Sequence, residues 1–186
     1  DYYINGYNIF FIVLITFLTS ALLTPLVKKI AFHVGAVDKP DHKRKIHDHI
    51  MPSMGGLAIF FAFLIGYMLF APKTTQMLSV LIGGFVVVIT GMLDDINPLP
   101  AKVKFLMQIT AACITVFYGN ITLADMTIFG ITFKFGIFAY PLAVLFMVSI
   151  MNAINLCDGL DGLATGTSTI YFATICIIGY IMNRLG

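Results

Sequence analysis

Charged residues are scarce in this chain of 186 amino acids, and all of its acidic residues are aspartate because glutamate is absent. Only 11% of the residues are Asp, Glu, Lys or Arg, against about 25% in a typical soluble domain. Hydrophobic residues make up 59%. A water-soluble core of this size cannot bury that much apolar surface, so the composition argues against a soluble domain and predicts a membrane protein.

Cysteine is sparse as well, and the familiar motifs of several enzyme classes are missing. Cys113, Cys157 and Cys176 form no CxxC pair and are odd in number, which argues against a disulfide framework or a zinc site. We expect them to be small packing residues, with Cys157 beside Asp158 left open as a reactive thiol. The sequence has no Walker A, HExxH, GxSxG or Rossmann GxGxxG motif, so ATP-driven transport, zinc proteolysis and serine hydrolysis find no support.

Six apolar stretches contain most of the hydrophobic residues. Each has roughly the 17–21 residues that a helix needs to cross a hydrocarbon core. We therefore predict an all-α polytopic membrane protein with one transmembrane domain over residues 1–186. The six predicted spans are residues 7–27, 54–71, 77–93, 103–119, 137–156 and 163–182. Between the fourth and fifth spans, the Ile-, Thr- and Phe-rich segment 120–136 predicts a short outer β-hairpin or an interfacial loop.

The charged residues lie mainly on one side of these predicted spans. Eight of the eleven Lys and Arg residues fall in segments 28–53 and 94–104, and seven of the nine Asp residues fall in these segments or in 157–162. Alternating spans bring the three segments to the same side of the membrane. The positive-inside rule makes that side cytoplasmic and puts the N-terminus outside.

Two adjacent carboxylates, Asp94 and Asp95, end the third predicted span. Next to hydrocarbon, such a pair is costly unless it is paired or binds a cation. Lys102 and Lys104 follow near the start of the next span. Two interpretations are open: a salt bridge at the helix ends, or a base or metal site whose lysines are directed at phosphate.

A second polar group ends the fifth span, where Asn152, Asn155, Asp158 and Asp161 recur at three-residue spacing. On a helix or a tightened last turn, these residues form one slowly drifting stripe. Their oxygen atoms suit Mg²⁺, which keeps water or substrate phosphates among its ligands. The structural alternative is hydrogen bonding between helices, followed by a turn.

The third group is the first charged connection, which carries Arg44, Lys45 and His47 ahead of Gly55 and Gly56. A basic loop of this kind commonly fixes topology or contacts anionic lipid. Beside a helix start, it also fits a diphosphate-binding surface.

Together these motifs resemble the polyprenyl-phosphate N-acetylhexosamine-1-phosphate transferase family. The resemblance covers residues 37–47, 52–56, 91–95 and 152–164, in the family's order. The Asp-x-Pro and Arg-Lys-x-His pattern of the first loop is closer to the GlcNAc-1-phosphate transferases that start teichoic acid or O-antigen assembly. The related phospho-MurNAc-pentapeptide translocase is the alternative.

The resemblance implies a reaction and its participants. GlcNAc-1-phosphate would pass from UDP-GlcNAc to undecaprenyl phosphate, with release of UMP and a requirement for Mg²⁺ or Mn²⁺. The site would face the cytoplasm in the bacterial plasma membrane. The lipid bilayer is an expected partner, nucleic acid is not, and a homodimer stays open.

The resemblance also assigns residues to the reacting centre. Asp94 would activate or position the lipid phosphate, and Asp95 would support it. Asn155 would hold the metal together with Asp94. A lysine near the diphosphate is matched by Lys104 and less well by Lys102.

Within the same resemblance, a further set is expected to bind the substrate: Lys45, His47, Asn152, Asp158, Gly159, Leu160 and Asp161. Asp161, with the backbone of Gly159 and Leu160, would read the uracil. Asp158 would face the ribose and phosphates, and Lys45 and His47 would border the nucleotide pocket.

Family members have more spans than the six found here, together with a later metal-binding aspartate and a later loop carrying His or Arg. We therefore expect this chain to be the N-terminal portion of a longer enzyme and to be inactive alone. Two other classes stay open: a cation-coupled transporter and a non-catalytic membrane scaffold. Charge gathered at one membrane face argues against the transporter, which would place its Asp and Asn near mid-bilayer.

Overall fold

The computed structural model describes residues 3–4, 6–38, 51–158 and 162–182, and these ranges contain six α-helices. In chain order they are α1 (Ile9–Val34), α2 (Gly55–Phe70), α3 (Thr75–Ile96), α4 (Ala101–Cys113), α5 (Ala139–Cys157) and α6 (Leu163–Ile181). A π-helical turn, Ile114–Tyr118, continues α4, and a 3₁₀ turn, Gly136–Phe138, precedes α5.

Five helical segments of the described chain are long and apolar enough to cross a membrane: Ile9–Val34, Thr75–Ile96, Ala101–Tyr118, Gly136–Cys157 and Leu163–Ile181. The prediction of an all-α polytopic membrane protein is therefore confirmed. The helix at the second predicted span, α2, is shorter than the other five apolar segments. Its 16 residues cover about 24 Å at 1.5 Å per residue, less than a hydrocarbon core of about 30 Å.

Local chemistry explains where the first two helices end. Ala71 is extended, with φ −87° and ψ 151°, because it precedes Pro72 and a residue before proline avoids the helical conformation. α1 instead continues through Lys28 and Lys29, beyond its predicted end. It stops at Gly35, whose left-handed φ of 78° suits glycine.

Short antiparallel strand pairs lie before α1 and between some of the helices. For segment 120–136 the sequence leaves a hairpin or an interfacial loop open, and the structure shows a hairpin: Asp125–Ile128 (β5) pairs with Ile131–Lys134 (β6). Phe129 and Gly130 form the turn, and both have positive φ angles, as a two-residue hairpin turn requires. Two smaller hairpins were not predicted: β1 (Tyr3–Ile4) with β2 (Tyr7–Asn8), and β3 (Val37–Asp38) with β4 (Met51–Pro52).

Small residues allow neighbouring helices to approach closely. A Cβ added at Gly66 of α2 would lie 2.5 Å from Thr16 Cγ2 of α1, and one at Gly83 of α3 would lie 2.6 Å from Thr115 Oγ1. Lipid chains are as apolar as the side chains, so helices in a membrane associate through close packing of this kind. Most large apolar side chains correspondingly remain exposed on the outside of the bundle.

The start of α2, the end of α3, the start of α4 and the end of α5 meet at one end of the bundle. Met54, just before α2, packs there in a buried cluster with Val27, Ala31 and Ala36. The sequence prediction that the polar connections share one side is thus confirmed for their described residues. The side of the membrane on which they lie stays a prediction.

Candidate functional site

A polar cavity of about 270 Å³ lies where α3 ends, α4 begins and α5 ends. Its lining residues are Val87, Thr90, Gly91, Asp94, Asp95, Lys104, Met107, Gln108, Asn155 and Asp158. Among the larger grooves, those of about 520 Å³ and 480 Å³ have no charged side chain among their described lining residues, and one of about 440 Å³ has a single one, Lys134. A cavity with a few convergent polar groups is the best candidate for a site of chemistry.

Asp94 is held by the connection between α3 and α4. Its Oδ1 accepts a hydrogen bond from the backbone N–H of Leu99 at 2.8 Å, and its Oδ2 pairs with Lys104 Nζ at 2.8 Å. Leu99 lies between Pro98 and Pro100, which have no N–H to offer. The salt bridge, one of the two interpretations that the sequence leaves open, is therefore present, and it holds Lys104 Nζ against the cavity-lining Asp94.

This ion pair is compatible with a functional role. The side chains of Lys104 and Asp94 are 35% and 28% exposed, and pairs open to solvent contribute about 0–1 kcal/mol to stability. An ammonium group carries three N–H donors, and Asp94 engages one of them. The remaining donors of Lys104 are available to an anionic ligand in the cavity.

Asp95 faces a different neighbour because successive helix residues are rotated by about 100°. Its Oδ2 accepts the backbone N–H of Met54 at 2.8 Å. Met54 has a left-handed backbone, with φ 73°, and no side chain caps the first turn of α2. The Asp95 carboxylate, which comes from α3, lies at this helix start instead, and a helix N-terminus favours a negative charge. It thereby fixes the start of α2 against the end of α3.

Of the polar residues that recur every three positions at the end of α5, only some line the cavity. Asn155 and Asp158 line the cavity, whereas Asn152 hydrogen-bonds Gln108 of α4 and is not among the lining residues. A step of three residues falls short of a full helical turn by about 60°. The stripe therefore drifts out of the cavity within one turn.

The structure brings together five of the predicted site residues: Asp94, Asp95, Lys104, Asn155 and Asp158. Lys102, two positions before Lys104 on α4, does not line the cavity. Five predicted residues lie outside the described part of the chain: Lys45, His47, Gly159, Leu160 and Asp161. The roles assigned to all of these residues stay predictions.

Gln108 is a cavity residue that sequence reasoning missed. It lies one helical turn after Lys104, on the same face of α4, and lines the cavity beside Asn155. Its polar amide within an otherwise apolar span, four residues from a lysine already singled out, was the available signal.

The oxygen atoms around the cavity fit a hard cation. Asp95, Asp158 and Asn155 offer carboxylate and carboxamide oxygens, the ligands that Mg²⁺ or Mn²⁺ prefers. Both oxygens of Asp94 already accept one hydrogen bond each. The described residues contain no group of three or more His, Cys, Asp or Glu arranged to hold a metal. Mg²⁺ usually keeps water or substrate oxygens among its ligands, and we expect a cation here to do the same.

Residues 77–186 match the model of glycosyl transferase family 4. This stretch is more than half of the chain and contains every charged residue that lines the cavity. The chain belongs to glycosyl transferase family 4. The resemblance drawn from the motifs is thereby confirmed.

Curated relatives in this family share most of the chain. A Bacillus subtilis protein named as a probable undecaprenyl-phosphate N-acetylglucosaminyl 1-phosphate transferase is 45% identical over 171 residues, which cover 89% of this chain and 46% of the relative. A decaprenyl-phosphate N-acetylglucosaminephosphotransferase of Mycobacterium tuberculosis H37Rv is 34% identical, with coverage of 90% and 45%. An undecaprenyl-phosphate alpha-N-acetylglucosaminyl 1-phosphate transferase of Escherichia coli K12 is 31% identical, with coverage of 87% and 44%.

The chain spans about half the length of these curated relatives. No solved structure matches it.

The bond between Asp95 and Met54 in this family 4 chain yields a testable prediction. Asp95→Ala leaves the Met54 N–H without its acceptor, at a cost of about 1–3 kcal/mol. We expect hydrogen exchange at the start of α2 to accelerate roughly 10- to 100-fold, measured by mass spectrometry. Asp95→Asn is the matched control, because its carboxamide oxygen can still accept the bond. Equal exchange in wild type and Asp95→Ala would show that the bond does not hold this helix start.

Proposed function

We propose that this chain forms part of an enzyme that transfers GlcNAc-1-phosphate from UDP-GlcNAc to undecaprenyl phosphate. The observation that carries the proposal is the convergence of Asp94, Asp95, Lys104, Asn155 and Asp158 from three helix ends on one cavity. The names of the family 4 relatives supply the acceptor lipid and the transferred group. The donor UDP-GlcNAc follows from the resemblance, and the downstream product is proposed to be teichoic acid or another polysaccharide.

The proposed reaction exchanges one phosphorus–oxygen bond for another. An oxygen of the lipid phosphate forms a bond to the sugar-bearing phosphorus of UDP-GlcNAc. The bond from that phosphorus to the bridging oxygen breaks, and this oxygen leaves with its electron pair as part of UMP. Charge and protons balance without a base, because a lipid phosphate is already ionised near neutral pH. Such a reaction depends mainly on positioning and on cationic groups that offset developing charge.

The cavity residues suit that task. Lys104, oriented by Asp94, has N–H donors left for the phosphates of the donor. Asp94 is proposed to position the lipid phosphate through this pair rather than to remove a proton. Asp158, which follows α5, is proposed to face the ribose and phosphates, and Asp161 to read the uracil.

Asn155, with Asp94, is proposed to hold Mg²⁺ or Mn²⁺. When bound, the ion would offset negative charge on the phosphates. The chain's own contribution is an oxygen-rich cavity at the helix ends. The phosphates themselves would complete the coordination.

The position of the cavity suits a reaction between one substrate in the lipid bilayer and one in aqueous solution. Its charged residues, Asp94, Asp95, Lys104 and Asp158, lie at or beside helix ends. At such a position a bilayer-anchored phosphate and a water-soluble nucleotide sugar can meet. The excess of Lys and Arg in the adjoining connections supports a cytoplasmic orientation, and the proposed location is the bacterial plasma membrane.

The proposal is tested by UMP release from the full-length protein in lipid vesicles. UMP should form from UDP-GlcNAc only when undecaprenyl phosphate is present. Asp94→Asn should lower the rate by about 100-fold or more, since it disturbs a preorganised charged group. Asp125→Asn, on the outer hairpin, is the carboxylate control and should leave the rate unchanged. Lipid-independent release, or full activity of Asp94→Asn, would refute the assignment.

A further inference from the structure

A pair of carboxamides joins α4 to α5 at the edge of the cavity. Asn152 Nδ2 donates to Gln108 Oε1 at 2.8 Å and to the backbone oxygen of Val148 at 2.9 Å. Gln108 lines the cavity with Lys104 and Asn155, whereas Asn152 is not among the lining residues. The pair is thus a contact between helices with one member facing the site.

Chemistry fixes which way both carboxamides point. The backbone oxygen of Val148 can only accept, so the NH₂ group of Asn152 must face it. The same NH₂ group donates its second hydrogen to Gln108, which turns the oxygen of Gln108 toward Asn152. Both N–H donors of Asn152 are then engaged.

The NH₂ group of Gln108 is consequently the free end of the pair. Within the described residues, Gln108 Nε2 makes no hydrogen bond, and every buried side-chain nitrogen or oxygen there has a partner. Nε2 is therefore accessible. It belongs to a cavity-lining residue one helical turn from Lys104, so a neutral donor and a cationic donor lie on the same face of α4.

We propose that Gln108 binds a phosphate oxygen of the substrate through its side-chain N–H, with Asn152 as the residue that positions it. This inference rests on the proposed function. Phosphate oxygens accept hydrogen bonds and donate none, so they match the NH₂ end of Gln108. Asn152 acts without touching the substrate, by holding the opposite end of the same amide.

Substitutions at Gln108 test the contact. Gln108→Glu keeps the acceptor for Asn152 but replaces the unpaired NH₂ with an anionic oxygen, and Gln108→Ala removes both ends. Hydrogen bonds to charged groups are the stronger class, so kcat/KM for UDP-GlcNAc should fall about 10- to 100-fold in Gln108→Ala and further in Gln108→Glu. Thermal unfolding of both variants controls for lost folding. Two folded variants with wild-type kcat/KM would overturn the inference.

A double-mutant cycle tests the role of Asn152. Asn152→Ala should lower kcat/KM in the wild-type background and have no further effect once Gln108 is alanine, because its role passes through that residue. The full effect of Asn152→Ala in both backgrounds would show that Asn152 acts independently, as direct substrate contact requires, and would overturn its positioning role. If the unmodified full-length protein releases no UMP, the proposed function itself fails, and this inference fails with it.

Discussion

Lys104→Ala is expected to lower kcat/KM for UMP release by about 100- to 1000-fold, the loss typical when a preorganised charged group is removed from a reacting centre. Lys104 Nζ lies 2.8 Å from Asp94 Oδ2 and lines the polar cavity. Its removal deletes a cationic donor of the cavity and leaves Asp94 without its charge partner. The measurement is the initial rate of UMP formation at several UDP-GlcNAc concentrations.

Lys102→Ala is the matched control for that experiment. Lys102 carries the same charge on the same helix, two residues earlier, but it does not line the cavity. Its loss should change kcat/KM by no more than about threefold, as expected for a surface charge acting through screened electrostatics. Equal losses in both variants would indicate that general positive charge near the membrane matters, and not the position of Lys104.

Removal of divalent cations is expected to abolish UMP release, and Mg²⁺ or Mn²⁺ should restore it. Asn155→Ala should raise the Mg²⁺ concentration needed for half-maximal activity by about tenfold or more, because the substitution removes one oxygen ligand from a cation that has few protein ligands. The measurement is a titration of activity with Mg²⁺ at saturating UDP-GlcNAc.

Cys157→Ser provides the control in the same turn of α5. Cys157 is exposed and does not line the cavity, so its variant should keep the wild-type Mg²⁺ requirement. Full activity of the wild-type protein in EDTA would refute the metal role. An unchanged Mg²⁺ requirement in Asn155→Ala would contradict the role of Asn155 as a ligand and would indicate that other oxygen atoms of the cavity bind the cation.

The sequence predicts the helices well because their apolar lengths are set by the bilayer, and it gives the β5–β6 hairpin as one of two alternatives, from its β-branched and aromatic residues around Gly130. It overestimates α2 by one residue at each end, and at the C-terminal end the reason is that Ala71 precedes Pro72 and is extended. The two small hairpins could not be predicted. Strands of two residues are too short to show an alternating pattern.

The sequence predicts which helix ends form the candidate site, but it does not predict the individual contacts within the site. Alternating spans place Asp94, Lys104 and Asn155 at the same end of the bundle, and the structure brings them to one cavity. The partner of Asp95 is a backbone N–H 41 residues away, which no side-chain pattern reveals. The side chain of Asn152 hydrogen-bonds Gln108 of α4 and does not line the cavity. Residues spaced by three rotate steadily around a helix, so the sequence alone does not show which of them face the cavity.

The central claim, that these helix ends form a phosphate site, is tested most directly by a structure of the full-length wild-type protein with UDP-GlcNAc and Mg²⁺, without undecaprenyl phosphate, so that no transfer takes place. The diphosphate is predicted to lie in the cavity within hydrogen-bonding distance of Lys104 Nζ and Gln108 Nε2, with the cation beside Asn155. A diphosphate bound in either apolar groove, or at the end of the bundle that carries the β5–β6 hairpin, would contradict the claim.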